Sequence, residues 1–576
     1  MSTERNPGPS AGKTVLKGAA LLGGAALISK VIGTLQKIPL QNFAGDEVFG
    51  LYSAVYALAI MWMTLAAAGV PTAVSVMVAE REAEGDEAGA QRVVRWSFGL
   101  LCASGLLAFG ILQAAAPLFA DWMGAPGAVA AVRTSSIALL FSPAAAVLRG
   151  YRQGQMRMAR PALSQVIEQT ARVAFMLAML WWAIDAGWNA SAATAAVHGG
   201  LAAGAVGGLV AMLWPERRRT GAGVWIQGAE TPKKRSSRPD GGNVRIVIWP
   251  ETRKTLVRRI ITVALPVAAA SVVAPLFGLI DAFSIPRLLQ NAGSEAAASL
   301  AQFGVYNRGI ALLQLVLMAA GGAASALVPA LTASRTRGDD ASETAEKAAF
   351  ALRLGWWLGG ASAIGLALLA APIDITLFAD DAGSRAIVLM APAAVFGTLQ
   401  AVSGGLLQGR GDLKSPAVNL AVAAVFKLAL NALLVPAYGI EGAAAGMVAA
   451  YGAAAVLNAL SLRQKLAVPA ARLATAWKPA AALAAMAAAV ALAALALGAL
   501  TQGLPARAGA LLTALPGVAV GALAFAAALI AAGAVGPRQW RELPGCGPGS
   551  RMDARLTRLQ AAVRRKTAPS PSSPEG

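Results

Sequence analysis

The chain has 576 residues, of which 57% are hydrophobic and 14% charged, with a formal net charge of +20. Its apolar residues fall in blocks of about 20 to 25, the length that crosses a hydrocarbon core, and these blocks lack the period-two alternation of barrel strands, so a water-soluble domain and a β-barrel are both excluded. The excess of Lys and Arg sits in alternate loops rather than on one face, which is the pattern of cytoplasmic segments in a membrane protein and argues against nucleic acid as a partner.

The polar stretch Met1 to Gly12 precedes an apolar run too long for a signal peptide and without a small-residue cleavage site, so it reads as a first span. Gly8 to Thr14 imitates a phosphate-binding loop, but it is one residue short between its glycines and follows no strand. Hydropathy places fourteen spans at 14–40, 48–77, 94–118, 133–150, 162–186, 190–213, 259–286, 302–332, 348–371, 385–408, 416–436, 440–462, 476–500 and 508–534. Arg149, Arg152, Arg157 and Arg160 crowd one connecting loop, the stretch 217–259 is rich in Lys and Arg, and Arg463, Lys465, Arg472 and Lys478 fill another. The loops between carry acids: Asp46, Glu47, Asp121, Asp185, Asp380, Asp381 and Glu441. Both termini are therefore expected in the cytoplasm. Cys102 and Cys546 share no motif spacing and suggest neither a disulfide framework nor a thiolate metal site.

The chain carries a second copy of itself. Gly150, Gln153, Gly154, Pro161 and Ala162 recur about 255 residues later as Gly405, Gln408, Gly409, Pro416 and Ala417, and Arg172 meets Lys427 at the same register. Upstream, Phe49-Gly50-Leu51-Tyr52 recurs as Phe303-Gly304-Val305-Tyr306. Six spans per copy is an even number, so both copies enter the membrane in the same direction and the repeat is parallel. The expected organisation is an N-lobe at 1–213, a cytoplasmic linker at 214–257, a C-lobe at 258–465, two further helices within 466–536 and a basic cytoplasmic tail at 537–576, whose Arg551, Arg555, Arg558, Arg564, Arg565 and Lys566 suit either a short amphipathic helix on the inner leaflet or a solvated end.

Charges inside spans carry the functional expectation, since each costs about 2.5–3.5 kcal/mol at the membrane centre and seldom faces lipid. Lys30 and Lys37 share one face of the first span, with Lys37 near enough to the end to snorkel. Glu168 and Arg172 lie four apart in the fifth and suit either an intrahelical pair or a substrate site. Asp281 lies in the seventh span, Arg308 in the eighth, and Lys427 in the eleventh with Asn419 and Asn431 along it. Lys427 has no acid at helical spacing, and it and Arg172 lie about 15 Å from their helix starts, too deep to snorkel. Cations outnumber acids, so an anionic substrate between the lobes is the simplest reading, with Lys30, Arg172, Arg308 and Lys427 holding it and Glu168 orienting Arg172. Gly200, Gly204 and Gly208 form a small-residue face for close helix packing, and His198 beside them suits packing.

The stretch Arg149 to Arg172 (RGYRQGQMRMARPALSQVIEQTAR), together with Ser29-Lys-Val-Ile-Gly33 and Gly45-Asp-Glu-Val-Phe-Gly-Leu-Tyr52, resembles the polysaccharide-exporter branch of the multidrug/oligosaccharidyl-lipid/polysaccharide (MOP) superfamily, in particular the stage V sporulation protein B group and the MurJ-type lipid II flippases. The resemblance implies an all-α polytopic fold of fourteen helices, two six-helix lobes around a central cavity plus a C-terminal pair, acting as a monomer in the bacterial cell membrane. It also implies a polyprenyl-diphosphate-linked glycan as cargo, taken from the lipid bilayer and moved between leaflets without catalysis or cofactor. Lys30 stands where the flippase motif has its first-helix arginine, and Arg308 is similar to the arginine of their eighth helix; the next first-helix arginine falls at Gln36, and the second-helix arginine has no cationic match. Some relatives bind sodium between helices 7, 11 and 12; Asp281 and Asn419 correspond, with Ala423 where an acid is expected. Sodium or membrane-potential coupling follows as an expectation. A multidrug antiporter would favour buried acids over bases, and a membrane glycan ligase would need acids in a sizeable outer loop.

Overall fold

In a computed structural model the described residues are 9–67, 69–215, 253–273, 275–337, 341–465, 477–533 and a few positions between 549 and 558. Most of the expected linker (216–252) and most of the tail lie outside them. The helices run α1 (Pro9–Leu35), α2 (Lys37–Ala67), α3 (Val70–Glu84), α4 (Glu87–Trp122), α5 (Val129–Ser136), α6 (Ser142–Gly154), α7 (Ala159–Asp185), α8 (Ala190–Leu213), α9 (Arg253–Val273), α10 (Leu276–Asn291), α11 (Ala296–Arg337), α12 (Ala341–Leu368), α13 (Ala370–Phe378), α14 (Ser384–Met390), α15 (Ala393–Gly409), α16 (Lys414–Lys465), α17 (Trp477–Leu500) and α18 (Ala506–Ala531). The protein is an all-α polytopic membrane protein. Among the described residues nine helices are long and apolar enough to cross a membrane, or ten if the pair α14 and α15, bent by 43°, forms one span.

Glycine and proline explain where the expected spans break. Within α16 the backbone leaves helical geometry at Gly439 (φ 59°), and the two arms fold back on each other: Asn419 Nδ2 donates to Asn458 Oδ1 at 2.9 Å, and a Cβ on Gly442 would press on the Leu434 carbonyl. These arms are the expected spans 416–436 and 440–462. Gly45 (φ 79°) interrupts α2 in the same manner. The expected span 48–77 instead divides at Gly69 (φ 76°), where Pro71 in the first turn of α3 starts a new helix. Pro143 and Pro392 likewise sit at helix starts inside apolar runs that hydropathy reads as single spans.

The chain forms two compact units. The first contains Met1–Gly33, Val55–Ala120 and Gly127–Pro275, the second Thr34–Ala54, Asp121–Pro126 and Leu276–Gly576. In the first, Val70, Val74, Met77 and Val78 of α3 bury against Val93 and Leu101 of α4, Val147 of α6, and Leu256 and Ile260 of α9. The α7–α8 contact rests on the glycine face: a Cβ on Gly200 would meet the Arg172 carbonyl, on Gly204 the Glu168 carbonyl, and on Gly208 the Arg149 and Glu168 side chains. In the second unit, Trp357 and Leu369 pack with Met486, Val490, Phe525 and Leu529 of α17 and α18.

The sequence repeat is also a structural one. After α6, Met156 adopts φ 58° and the Arg157 N–H returns to the Arg152 carbonyl at 2.9 Å; after α15, Gly411 adopts φ 86° and the Asp412 N–H returns to the Leu407 carbonyl at 3.0 Å. Both turns close the preceding helix with a left-handed residue and open the next helix at the same register. Arg172 and Lys427 therefore sit equally far along α7 and α16.

Candidate functional site

In the first unit α7 carries Gln165, Gln169 and Arg172 at i, i+4 and i+7, one face of a helix. That face approaches α1, where a Cβ on Gly33 would stand 2.9 Å from Gln169 Nε2. Ser29 Oγ, Gln165 Oε1 and Gln169 Nε2 are all buried without a hydrogen-bond partner, an unusual concentration, because buried polar atoms are ordinarily satisfied. Arg172, 9% exposed, lies with its guanidinium 4.7 Å from the Tyr56 ring centroid. Lys30 is exposed on α1. Glu168 Oε2 accepts from Arg149 Nη2, while Arg149 also donates to Ser164 Oγ at 2.8 and 3.0 Å. The carboxylate thus also holds Arg149 of α6, one helix earlier.

The second unit treats its cations otherwise. Arg308 on α11 is fully buried and meets three carboxylates. Its Nε and Nη2 engage Asp46; Nη1 donates to Asp380 Oδ1 at 2.6 Å and Nη2 to Asp380 Oδ2 at 3.1 Å; Asp374 Oδ1 stands 3.5 Å from Nη1. Asp374 also accepts from the Gly383 N–H at 2.7 Å. Asp374 and Asp380 lie between the apolar spans. Burial pushes the Asp374 carboxyl up to about 6, against the pull of Arg308, whereas the hydrogen bond from Arg308 holds Asp380 below the usual carboxylate range. Arg308 is therefore surrounded by carboxylates of its own unit.

Lys427 is likewise paired within the second unit. Its side chain is 0% exposed and its Nζ donates to Asp281 Oδ1 on α10. Asp281 Oδ1 also accepts from Asn431 Nδ2 at 3.0 Å, and Oδ2 from the Tyr306 hydroxyl at 3.0 Å. Asn431 Nδ2 donates further to Ser284 Oγ at 2.9 Å. The acid that neutralises Lys427 comes from another helix, which spacing within its own helix does not reveal. Asn419 lies about 12 Å along α16 from Lys427 and donates to Asn458 Oδ1 and Ser461 Oγ. Asp281 and Asn419 do not converge, and Asp281 already holds an ammonium, so these residues do not fit the sodium site that the resemblance implies. Lys37, expected to snorkel, is 5% exposed and donates to Gln314 Oε1 at 3.1 Å.

Residues 15–334 match the family described as polysaccharide biosynthesis protein. The chain belongs to that family. Among its relatives are the uncharacterized membrane protein YabM of Bacillus subtilis (strain 168), 29% identical over 78% of this chain and 80% of that one, and the lipid II flippase MurJ of the same organism, 24% identical over 74% and 79%. A solved structure of lipid II flippase MurJ in an inward closed conformation superposes with a TM-score of 0.61 over 88% of this chain and 98% of that one, at 11% identity, which establishes a shared fold. As a member of the family the chain is a multi-pass membrane protein, and one of its relatives is a lipid II flippase.

Proposed function

We propose that the protein is a flippase of the bacterial cell membrane that moves a polyprenyl-diphosphate-linked saccharide from the cytoplasmic to the outer leaflet by alternating access, as a monomer with both termini in the cytoplasm. The observation that carries this reading is the polar face of α1 and α7, where Ser29, Gln165 and Gln169 hold buried polar atoms without protein partners beside Arg172. Such a face suits a ligand rich in hydroxyl and phosphate oxygens. Arg172 and Lys30 supply the positive charge for the diphosphate, and the glutamines and Ser29 hydrogen bonds for phosphate or sugar, while the prenyl tail stays in lipid. Arg308 and Lys427, neutralised within the second unit, hold helices together rather than cargo. The similarity to a lipid II flippase supports the cargo class. Outward movement of an anion across an inside-negative membrane is favourable by about 2.3 kcal/mol per charge per 100 mV, which makes the membrane potential a sufficient driving force.

The test is transport of a lipid-linked glycan in vesicles containing the purified protein, with lipid II and other polyprenyl-diphosphate glycans as competing cargoes. Arg172→Gln and Gln169→Leu are expected to abolish or strongly slow flipping at unchanged protein abundance. Full transport in both variants overturns this assignment of the site.

A further inference from the structure

The surroundings of Lys427 have the composition of a metal-ion site, with an ammonium in the metal's place. Around its Nζ, α10 contributes the Asp281 carboxylate and α11 the Tyr306 hydroxyl bound to it, while Asn431, one helical turn further along α16, joins Asp281 to the Ser284 hydroxyl. Asn431 Oδ1 is buried and has no hydrogen-bond partner. Asp281, Ser284, Tyr306, Lys427 and Asn431 are all buried, and Phe277, one helical turn before Asp281, meets the Tyr451 ring at 5.1 Å between centroids with the planes tilted by 54°. A carboxylate, a side-chain amide oxygen and hydroxyls are the hard oxygen donors that alkali and alkaline-earth cations choose. A lysine ammonium is a compact single charge that such donors accept equally well.

We propose that Lys427 is a tethered monovalent cation: it occupies an oxygen-lined cation position joining α10, α11 and α16, so this unit is complete without sodium, and removing the side chain creates a site for a small free cation. The requirement for one positive charge follows from Asp281. A buried carboxylate left without a cationic partner is strongly destabilising, and among the described residues the other groups bonded to its two oxygens, the Tyr306 hydroxyl and the Asn431 amide, are neutral. The duplicate position, Arg172, lies against an aromatic ring, so the ammonium trap belongs to the second copy of the repeat. This inference does not rest on the flippase reading.

Thermal unfolding of the purified full chain in detergent tests it at constant ionic strength. Wild-type protein is expected to unfold at the same temperature in sodium, potassium or choline chloride. Lys427→Ala, which lacks the atoms of n-propylamine, is expected to unfold roughly 5 °C or more lower and to recover at least half of the loss with sodium or n-propylammonium but not with choline. Adding Asp281→Asn should abolish that recovery. A sodium-specific stabilisation of the wild type overturns the proposal without any variant, and so does a Lys427→Ala protein indifferent to all the cations. If Lys427→Ala yields no folded protein, Lys427→Met serves: the proposal expects its lowered unfolding temperature to rise when Asp281→Asn neutralises the stranded carboxylate, and no rise overturns it.

Discussion

Gly50 and Gly304, the glycines of the two Phe-Gly-x-Tyr copies, face each other where α2 crosses α11. A Cβ on Gly50 would run into the Leu300 carbonyl oxygen, and one on Gly304 into the Asp46 carbonyl oxygen. The motif recurs because each copy is the other's packing surface. Gly50→Ala and Gly304→Ala should each destabilise the protein by about 1–3 kcal/mol through overpacking. Gly99→Ala and Gly110→Ala, where a Cβ meets nothing within 4 Å, should leave stability unchanged or slightly higher. Thermal unfolding in detergent measures all four.

Arg308 ties Asp46 of α2 to Asp374 of α13 and Asp380 beyond it. Removing the guanidinium strands three carboxylates, so Arg308→Ala should cost about 3–5 kcal/mol, visible as a lower unfolding temperature. Arg308→Lys should recover only part of this, because an ammonium cannot make the forked contacts to Asp46 and Asp380 together. Combining Arg308→Ala with Asp46→Asn and Asp380→Asn should recover more than either carboxylate substitution alone.

The same cluster predicts a pH dependence. Asp374 has a folded pKa of about 6 against an ordinary value of 3.8, so the folded state binds its proton more tightly than the unfolded chain does. Stability should rise as pH falls from about 7 to about 5, and the gain should be complete near the ordinary value. Asp380 has the opposite sign: its folded pKa is lowered, so its contribution is present at neutral pH and is lost only in stronger acid. Between pH 5 and 7 Asp374 dominates. Asp374→Asn should flatten the rise in unfolding temperature over that window, and an unchanged slope would count against this assignment.

The paired turns offer a test of the repeat. Met156 holds φ 58° where its counterpart is Gly411 at φ 86°. A left-handed residue with a side chain costs about 1–2 kcal/mol, partly offset by the greater unfolded-state freedom of glycine. Met156→Gly should therefore raise stability by up to about 1 kcal/mol, and Gly411→Ala should lower it by about the same amount.

Much of the fold was legible in the sequence. The all-helical membrane class followed from the length of the apolar blocks, the repeat from the recurring Gly-Gln-Gly and Phe-Gly-x-Tyr residues, and the α7–α8 seam from Gly200, Gly204 and Gly208. Helix breaks were less visible, because Gly69, Pro143 and Pro392 sit inside runs whose average hydropathy they hardly alter. The charged residues were found but not their partners: Lys427 and Arg308 take their acids from Asp281 and from Asp46, Asp374 and Asp380, which are distant in sequence. One signal was available, since Asp46 and Asp380 flank spans at the same end as Arg308. Gln165 and Gln169 were not singled out although they share a helical face with Arg172, because neutral amides scarcely change a charge inventory.

The shared register of Arg172 and Lys427 after duplicated turns shows how duplication can free a position to diverge. Two descendants of one ancestral residue have taken separate trades, the first beside hydrophilic atoms that lack companions and the second locked to an aspartate. Exchanging their identities by Arg172→Lys with Lys427→Arg would set a bulky planar group into a cage sized for an ammonium, and the halves of this chain are no longer interchangeable at the very place where their ancestry is plainest.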